Sequence, residues 1–100
     1  MSTFVLTRSA HPTPADERAA IVAKPVFGAN FTDHMALATW TTDEGWHDRE
    51  IVARRAFELH PGAATFHYGQ EIFEGLKAFR QPDGGVAIFR PDKNAARFAL

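Results

Sequence analysis

Lysines, histidines, a pair of carboxylates three apart and an arginine set among alanines near the end are the side chains of this 100-residue sequence that invite a chemical reading. Its three lysines are Lys24, Lys77 and Lys93. Lys77 sits in the most distinctive stretch, Y-G-Q-E-I-F-E-G-L-K-A-F-R at 68–80. A buried lysine loses proton affinity and becomes a nucleophile toward carbonyl carbon. Lys77, however, falls in an alternating, strand-like run two residues after Gly75, with no acidic or aromatic partner implied, so spacing points away from a covalent role. The only serines are Ser2 and Ser9, both near the start, which argues against a serine nucleophile paired with histidine. The histidines at 11, 34, 47, 60 and 67 never fall three or four apart, so the helical metal-ligand spacing is missing. Glu71 and Glu74 lie three apart and read as a solvated helix face before they read as an acid–base pair. No glycine-rich phosphate cradle of the G-x-G-x-x-G or G-x-x-x-x-G-K-[ST] design occurs.

Arg97 lies among alanines, within the first two turns of a helix predicted to start at Pro91, so little competes for the space around it. A guanidinium near the positive end of a helix can grip a phosphate by fork geometry. Spacing alone still favours a solvated surface arginine. Phe27, Tyr68 and Phe73 could line an apolar pocket, although aromatic side chains are core residues first and phenylalanine occurs nine times here.

The elements that must position these residues follow from local patterns. Residues 1–12 read as an extended leader or edge strand. Thr13 supplies a cap, Pro14 the first helical position, and Asp16 and Glu17 the acidic first turn of a short helix that Lys24-Pro25 stops. Residues 27–30 form a turn. Strict alternation predicts a strand at 34–41, with Met35, Leu37 and Thr39 on one face, followed by a hairpin turn at 43–45 and a return from Trp46. Residues 50–57 are expected as a strand, 59–62 as a turn and 63–67 as a short extended run. Ile72 and Leu76, four apart, suggest two helical turns closed by Gly75. Strands at 76–80 and 86–90 then flank the loop Q-P-D-G-G, and a helix runs from Pro91 to the last residue. The expected class is α+β.

Composition narrows the field. Hydrophobic residues at 45% and charged ones at 23% describe a folding chain rather than a disordered one. A net charge of −1 with interspersed signs gives no electrostatic footprint for nucleic acid. The absence of cysteine removes disulfides and thiolate zinc sites. No secretory signal and no apolar run near the ~20 residues of a membrane span appear, so a soluble, cytoplasmic protein is expected.

Four blocks in order, F-G-A-N-F-T-D-H-M at 27–35, L-H-P at 59–61, H-Y-G-Q-E-I-F-E-G-L-K-A-F-R at 67–80 and F-R-P-D-K-N-A-A-R at 89–97, closely resemble the N-terminal part of branched-chain amino acid aminotransferases. These are fold-type IV enzymes dependent on pyridoxal 5′-phosphate. The first block points away from relatives with shorter N-termini, the D-amino acid aminotransferases and aminodeoxychorismate lyases. The resemblance implies a leader with a short helix at 1–24 and, at 25–100, part of the small domain: a hairpin-rich sheet with short helices, incomplete at its C-terminal end, the large domain being absent. Arg97 matches the arginine that binds the cofactor phosphate. Phe27, Tyr68 and Phe73 match aromatic residues of the substrate side-chain pocket, an apolar cage suited to leucine, isoleucine and valine. Lys77 does not match the family's Schiff-base lysine, which is expected beyond Leu100, so no catalytic residue is assigned here. The implied activity passes the amino group of a branched-chain amino acid to 2-oxoglutarate, in a homodimer that needs neither nucleic acid nor membrane. The competing expectation is an inactive truncated domain that acts only by association with a partner chain.

Overall fold

Alternating residues and turn chemistry build two separate compact units in the computed structural model, which describes residues 3–99; one unit runs up to Phe57 and the other begins at Glu58. The expectations for Met1, Ser2 and Leu100 lie outside the described residues.

In the first unit, β1 (Val5–Leu6), α1 (Ala15–Ala23), β2 (His34–Thr41) and β3 (Gly45–Ala53) form a three-stranded sheet with one helix. The sheet order is β1-β3-β2, with β1 parallel and β2 antiparallel to β3. β2 has the bounds its alternation predicts, and Met35 and Leu37 are half-buried on the expected face. Gly45, at φ +66°, opens β3 in a left-handed conformation that costs glycine little. Leu37 pairs with Glu50 and Thr39 with His47, so β3 carries one extra residue. Asp48 absorbs it at φ +45°, the local kink of a β-bulge. Instead of separate pieces, the return is one strand that ends at Ala53; beyond it, the N–H of Arg54 closes the ladder on the Asp33 carbonyl (2.9 Å) and residues 54–57 are irregular. The edge-strand reading of the leader is realised by β1 alone.

The helix α1 forms where expected, but its cap differs. Thr13 does not cap it: its hydroxyl donates to Asp33 Oδ1 (2.5 Å) and its N–H to Oδ2 (3.0 Å), which leaves Pro14 at the cap position with no side-chain bond. A carboxylate accepts a stronger hydrogen bond than a neutral partner does, and it outcompetes the helix for that hydroxyl.

In the second unit, α2 (Ala64–Tyr68), β4 (Ala78–Arg80), β5 (Val86–Ile88) and α3 (Pro91–Phe98) follow. The extended run expected at 63–67 is instead the helix α2. The Pro61-Gly62 turn delivers it, with the Ala63 N–H on the His60 carbonyl and His67 Nε2 2.6 Å from the Pro61 carbonyl oxygen. Gly69, left-handed at φ +57°, ends it. The helix stop is therefore Gly69, not Gly75, and residues 70–77 are irregular rather than helical. Once the chain has turned at Gly69, the Glu71 N–H folds back onto the Gly69 carbonyl (2.8 Å) and no helical ladder restarts.

β4 and β5 form the expected hairpin, Phe79 opposite Ala87, with its loop tied by the Gln81 N–H to the Gly85 carbonyl. Both strands are shorter than their alternation suggests. Lys77 falls just ahead of β4, and Arg90 leaves β conformation at φ +47° to start α3. Short helices beside a mixed sheet and a hairpin confirm the α+β class. Among the described residues none is fully buried, and the half-buried positions concentrate on β2 and β3.

Candidate functional site

The helix α3 carries two polar side chains one turn apart, Asn94 and Arg97, which therefore share a face. Both reach the same carboxylate. Arg97 donates from Nε to Glu74 Oε2 (2.5 Å) and from Nη2 to Oε1 (2.7 Å), a fork-on-fork pair. Asn94 Nδ2 donates to Glu74 Oε1 (2.8 Å) and to the Gly75 carbonyl (2.8 Å). Both of those partners are acceptors, which fixes the orientation of the Asn94 amide. The Gly75 N–H adds a further bond to Oε1 (2.9 Å).

This cluster corrects three sequence expectations. Glu74 is not on a solvated helix face with Glu71, because 70–77 is irregular and its carboxylate is occupied. Space around Arg97 is contested, by Glu74. Arg97 also stands in the last turn of α3, so the helix dipole's positive end is not what it offers. What it offers is its own charge. Two of the five guanidinium N–H groups are used on Glu74, and three point elsewhere. The Arg97 side chain is 66% exposed against 11% for Glu74, so the carboxylate is the covered member of the pair and the guanidinium the presented one. The free edge of Arg97 suits a tetrahedral oxyanion, which a planar fork binds through two oxygens.

The aromatic candidates are presented rather than packed. Tyr68 is the last residue of α2, and Phe73 immediately precedes Glu74, next in the chain to the clamp that Arg97 and Asn94 close on the Glu74 carboxylate; they are 86% and 77% exposed. Phe27 lies in the turn after α1 at 93% exposure and belongs to the other unit. A shallow cleft of about 410 Å³ runs beside the clamp, lined by Leu76, Pro91, Ala95 and Phe98 together with Glu74 and Asn94. Sequence reasoning set Glu74 aside as part of a solvated helix face and did not single out Asn94. The signal for Asn94 was available, since it stands three residues before Arg97 on one helix; Glu74 lies twenty residues from Asn94, and only the fold brings it there.

Two carboxylates are acidified by their surroundings. The Arg97 hydrogen bonds, then that of Asn94, hold Glu74 below the ordinary glutamate range, against the opposing effect of its partial burial. The Thr13 hydroxyl and then its N–H hold Asp33 low in the same way. A carboxylate with a lowered folded-state pKa stabilises the fold fully above its unfolded value and loses that contribution as pH falls through the folded one. Both ties should therefore persist through neutral and mildly acidic pH and open only below the ordinary carboxylate range. Carboxyl carbon NMR across an acid titration checks this, with Thr13→Val expected to move Asp33 back up and leave Glu74 unchanged.

No helix among the described residues is long and apolar enough to cross a membrane. No family model matches the chain. Individual relatives do. It is 56% identical over 96 residues to a probable branched-chain-amino-acid aminotransferase of Streptomyces coelicolor, covering 96% of this chain and 26% of that protein. It is 49% identical over 72 residues to the cytosolic branched-chain-amino-acid aminotransferase of Saccharomyces cerevisiae, covering 72% of this chain and 19% of that protein. To the mitochondrial enzyme of the same yeast it is 42% identical over 96 residues, covering 96% and 23%. The chain thus spans about a fifth to a quarter of the length of the curated relatives it matches, and the two yeast names divide between compartments, so the likeness selects neither.

Proposed function

We propose, from the premise that this chain is a homologue of the branched-chain-amino-acid aminotransferases over its matched length, that it supplies the cofactor-phosphate anchor and part of the substrate wall of such an enzyme. The activity is transfer of the amino group of leucine, isoleucine or valine to 2-oxoglutarate, with pyridoxal 5′-phosphate as cofactor, in a homodimer whose protomers carry the small domain of a fold-type IV aminotransferase. The observation that carries this reading is Arg97: its position in the F-R-P-D-K-N-A-A-R block coincides with a guanidinium held on one edge and free on the other.

When bound, the cofactor acts as an electron sink for the amino acid's α-carbon. This chain's residues do the holding. The free edge of Arg97 would hold the cofactor phosphate. Tyr68 and Phe73, both exposed in the second unit, present apolar faces that a branched aliphatic side chain would cover. Such contacts discriminate by only about 1–3 kcal/mol per methylene, so all three substrates should be accepted. None of Lys24, Lys77 and Lys93 is assigned the covalent role, which falls to a lysine outside these 100 residues.

The test is transamination by the full-length protein that carries this segment, with leucine and 2-oxoglutarate followed by glutamate formation. Turnover with all three branched-chain amino acids is expected. Lack of turnover with every one of them overturns the substrate assignment, and turnover by residues 1–100 alone overturns the placement of the covalent lysine.

A further inference from the structure

The carboxylate of Glu74 is held three ways before any ligand arrives: by the amide of Asn94, by the N–H of Gly75 and by the guanidinium of Arg97. Two of these do not involve Arg97. Glu74 is also the covered partner of the pair, while Arg97 reaches out into solvent. A carboxylate that merely stood in for an absent phosphate would be the loose and exposed member, tied by the arginine alone. The reverse is found here.

We infer that Glu74, seated by Asn94 and the Gly75 N–H, is a positioning residue that grips the Nε/Nη2 edge of Arg97 and so turns the remaining N–H groups toward the cofactor phosphate. This rests on the phosphate role of Arg97 proposed above. An unrestrained arginine spreads over many rotamers, and holding one edge of its planar fork removes much of that loss before binding. Glu74 also places a negative charge near the phosphate, which opposes binding. The two effects differ in reach: the grip acts at hydrogen-bond distance on a fixed geometry, whereas the repulsion crosses the width of the guanidinium and is screened at so open a site. The grip is expected to dominate. Asn94 then serves the anchor indirectly by holding Glu74, which explains why α3 presents Asn94 and Arg97 on one face.

The experiment uses the full-length protein and two probes, pyridoxal 5′-phosphate and pyridoxal, which differ only in the phosphate. The ratio of their dissociation constants isolates the anchor from the rest of the site. Glu74→Ala should reduce the preference for the phosphorylated probe about tenfold, the size of one charge-assisted hydrogen bond. Asn94→Ala should reduce it less, and affinity for pyridoxal should not move. In the ligand-free protein, the Arg97 Nε–H should exchange slowly with solvent by ¹⁵N NMR, and this protection should disappear in Glu74→Ala. Glu74→Gln keeps the shape, so it serves as the variant if alanine impairs folding; it should fall between wild type and alanine. An unchanged preference in the Glu74 variants alongside a lost one in Arg97→Ala overturns this inference and leaves the functional reading standing. A preference unchanged in Arg97→Ala overturns that reading itself. A preference that rises in Glu74→Gln identifies Glu74 as a competitor of the phosphate, and equal loss of both probes identifies a purely structural role; either result overturns the inference.

Discussion

Arg97→Ala is expected to weaken binding of pyridoxal 5′-phosphate by about 10- to 100-fold while affinity for pyridoxal stays within about twofold, because hydrogen bonds to a charged group contribute roughly 1.5–3 kcal/mol and only one of the two ligands makes them. The substitution removes the guanidinium but leaves α3 intact, since alanine is the best helix former. Arg97→Lys should recover part of the loss through charge and none of the fork geometry. A second effect is separable from the first. Without Arg97, Glu74 keeps only Asn94 and the Gly75 N–H, so its titration should move back up toward the ordinary glutamate range, a change that requires no ligand to observe. Equal affinity of the wild type and Arg97→Ala for the phosphorylated ligand would remove the anchor role altogether.

Val52→Pro should cost the first unit its sheet. The N–H of Arg54 donates to the Asp33 carbonyl across the ladder, and residues two apart on a strand point the same way. Val52 therefore directs its N–H toward its register partner Met35 on β2. Proline there deletes that donor, leaves the Met35 carbonyl without its partner and forces its ring into a strand flanked on both sides. The expected loss is roughly 2–3 kcal/mol from the unmade bond and the misfit, and hydrogen exchange of the β2 and β3 amides should accelerate together. Proline at Val5, on the edge strand β1, should be milder. If the β2 amides keep their protection in Val52→Pro, the register described here is wrong.

Local patterns made the hairpins readable because their causes are local. β2 matched its expected bounds because eight alternating residues are closed by a glycine-bearing turn, and the β4–β5 loop was legible from Gln81-Pro82-Asp83-Gly84-Gly85. The misreadings arose where two signals of the same kind competed, or where a distant residue intervened. Gly69 and Gly75 both could end a helix; the choice fell to Gly69 because the turn at Pro61-Gly62 had already started a helix upstream of it. Thr13 looked like a cap because a cap is defined by its neighbours, yet Asp33, twenty residues on, took its hydroxyl. The site followed the same division. Arg97 could be singled out by its match to the F-R-P-D-K-N-A-A-R block, its helical setting alone reading as a solvated surface arginine. Glu74 could not, because nothing nearby in sequence distinguishes it from Glu71, and its role exists only across the gap to α3.

The pairing of Trp40 with Trp46 across β2 and β3 gives this protein a built-in optical gauge. These are the only two tryptophans in the sequence, and directly opposed residues on antiparallel strands hold their side chains close enough for two indoles to couple. Coupled chromophores produce a split circular-dichroism band that neither gives alone. That band should vanish in Trp40→Phe or Trp46→Phe, and in the native sequence it should report the closing of this one hairpin independently of whatever the second unit is doing.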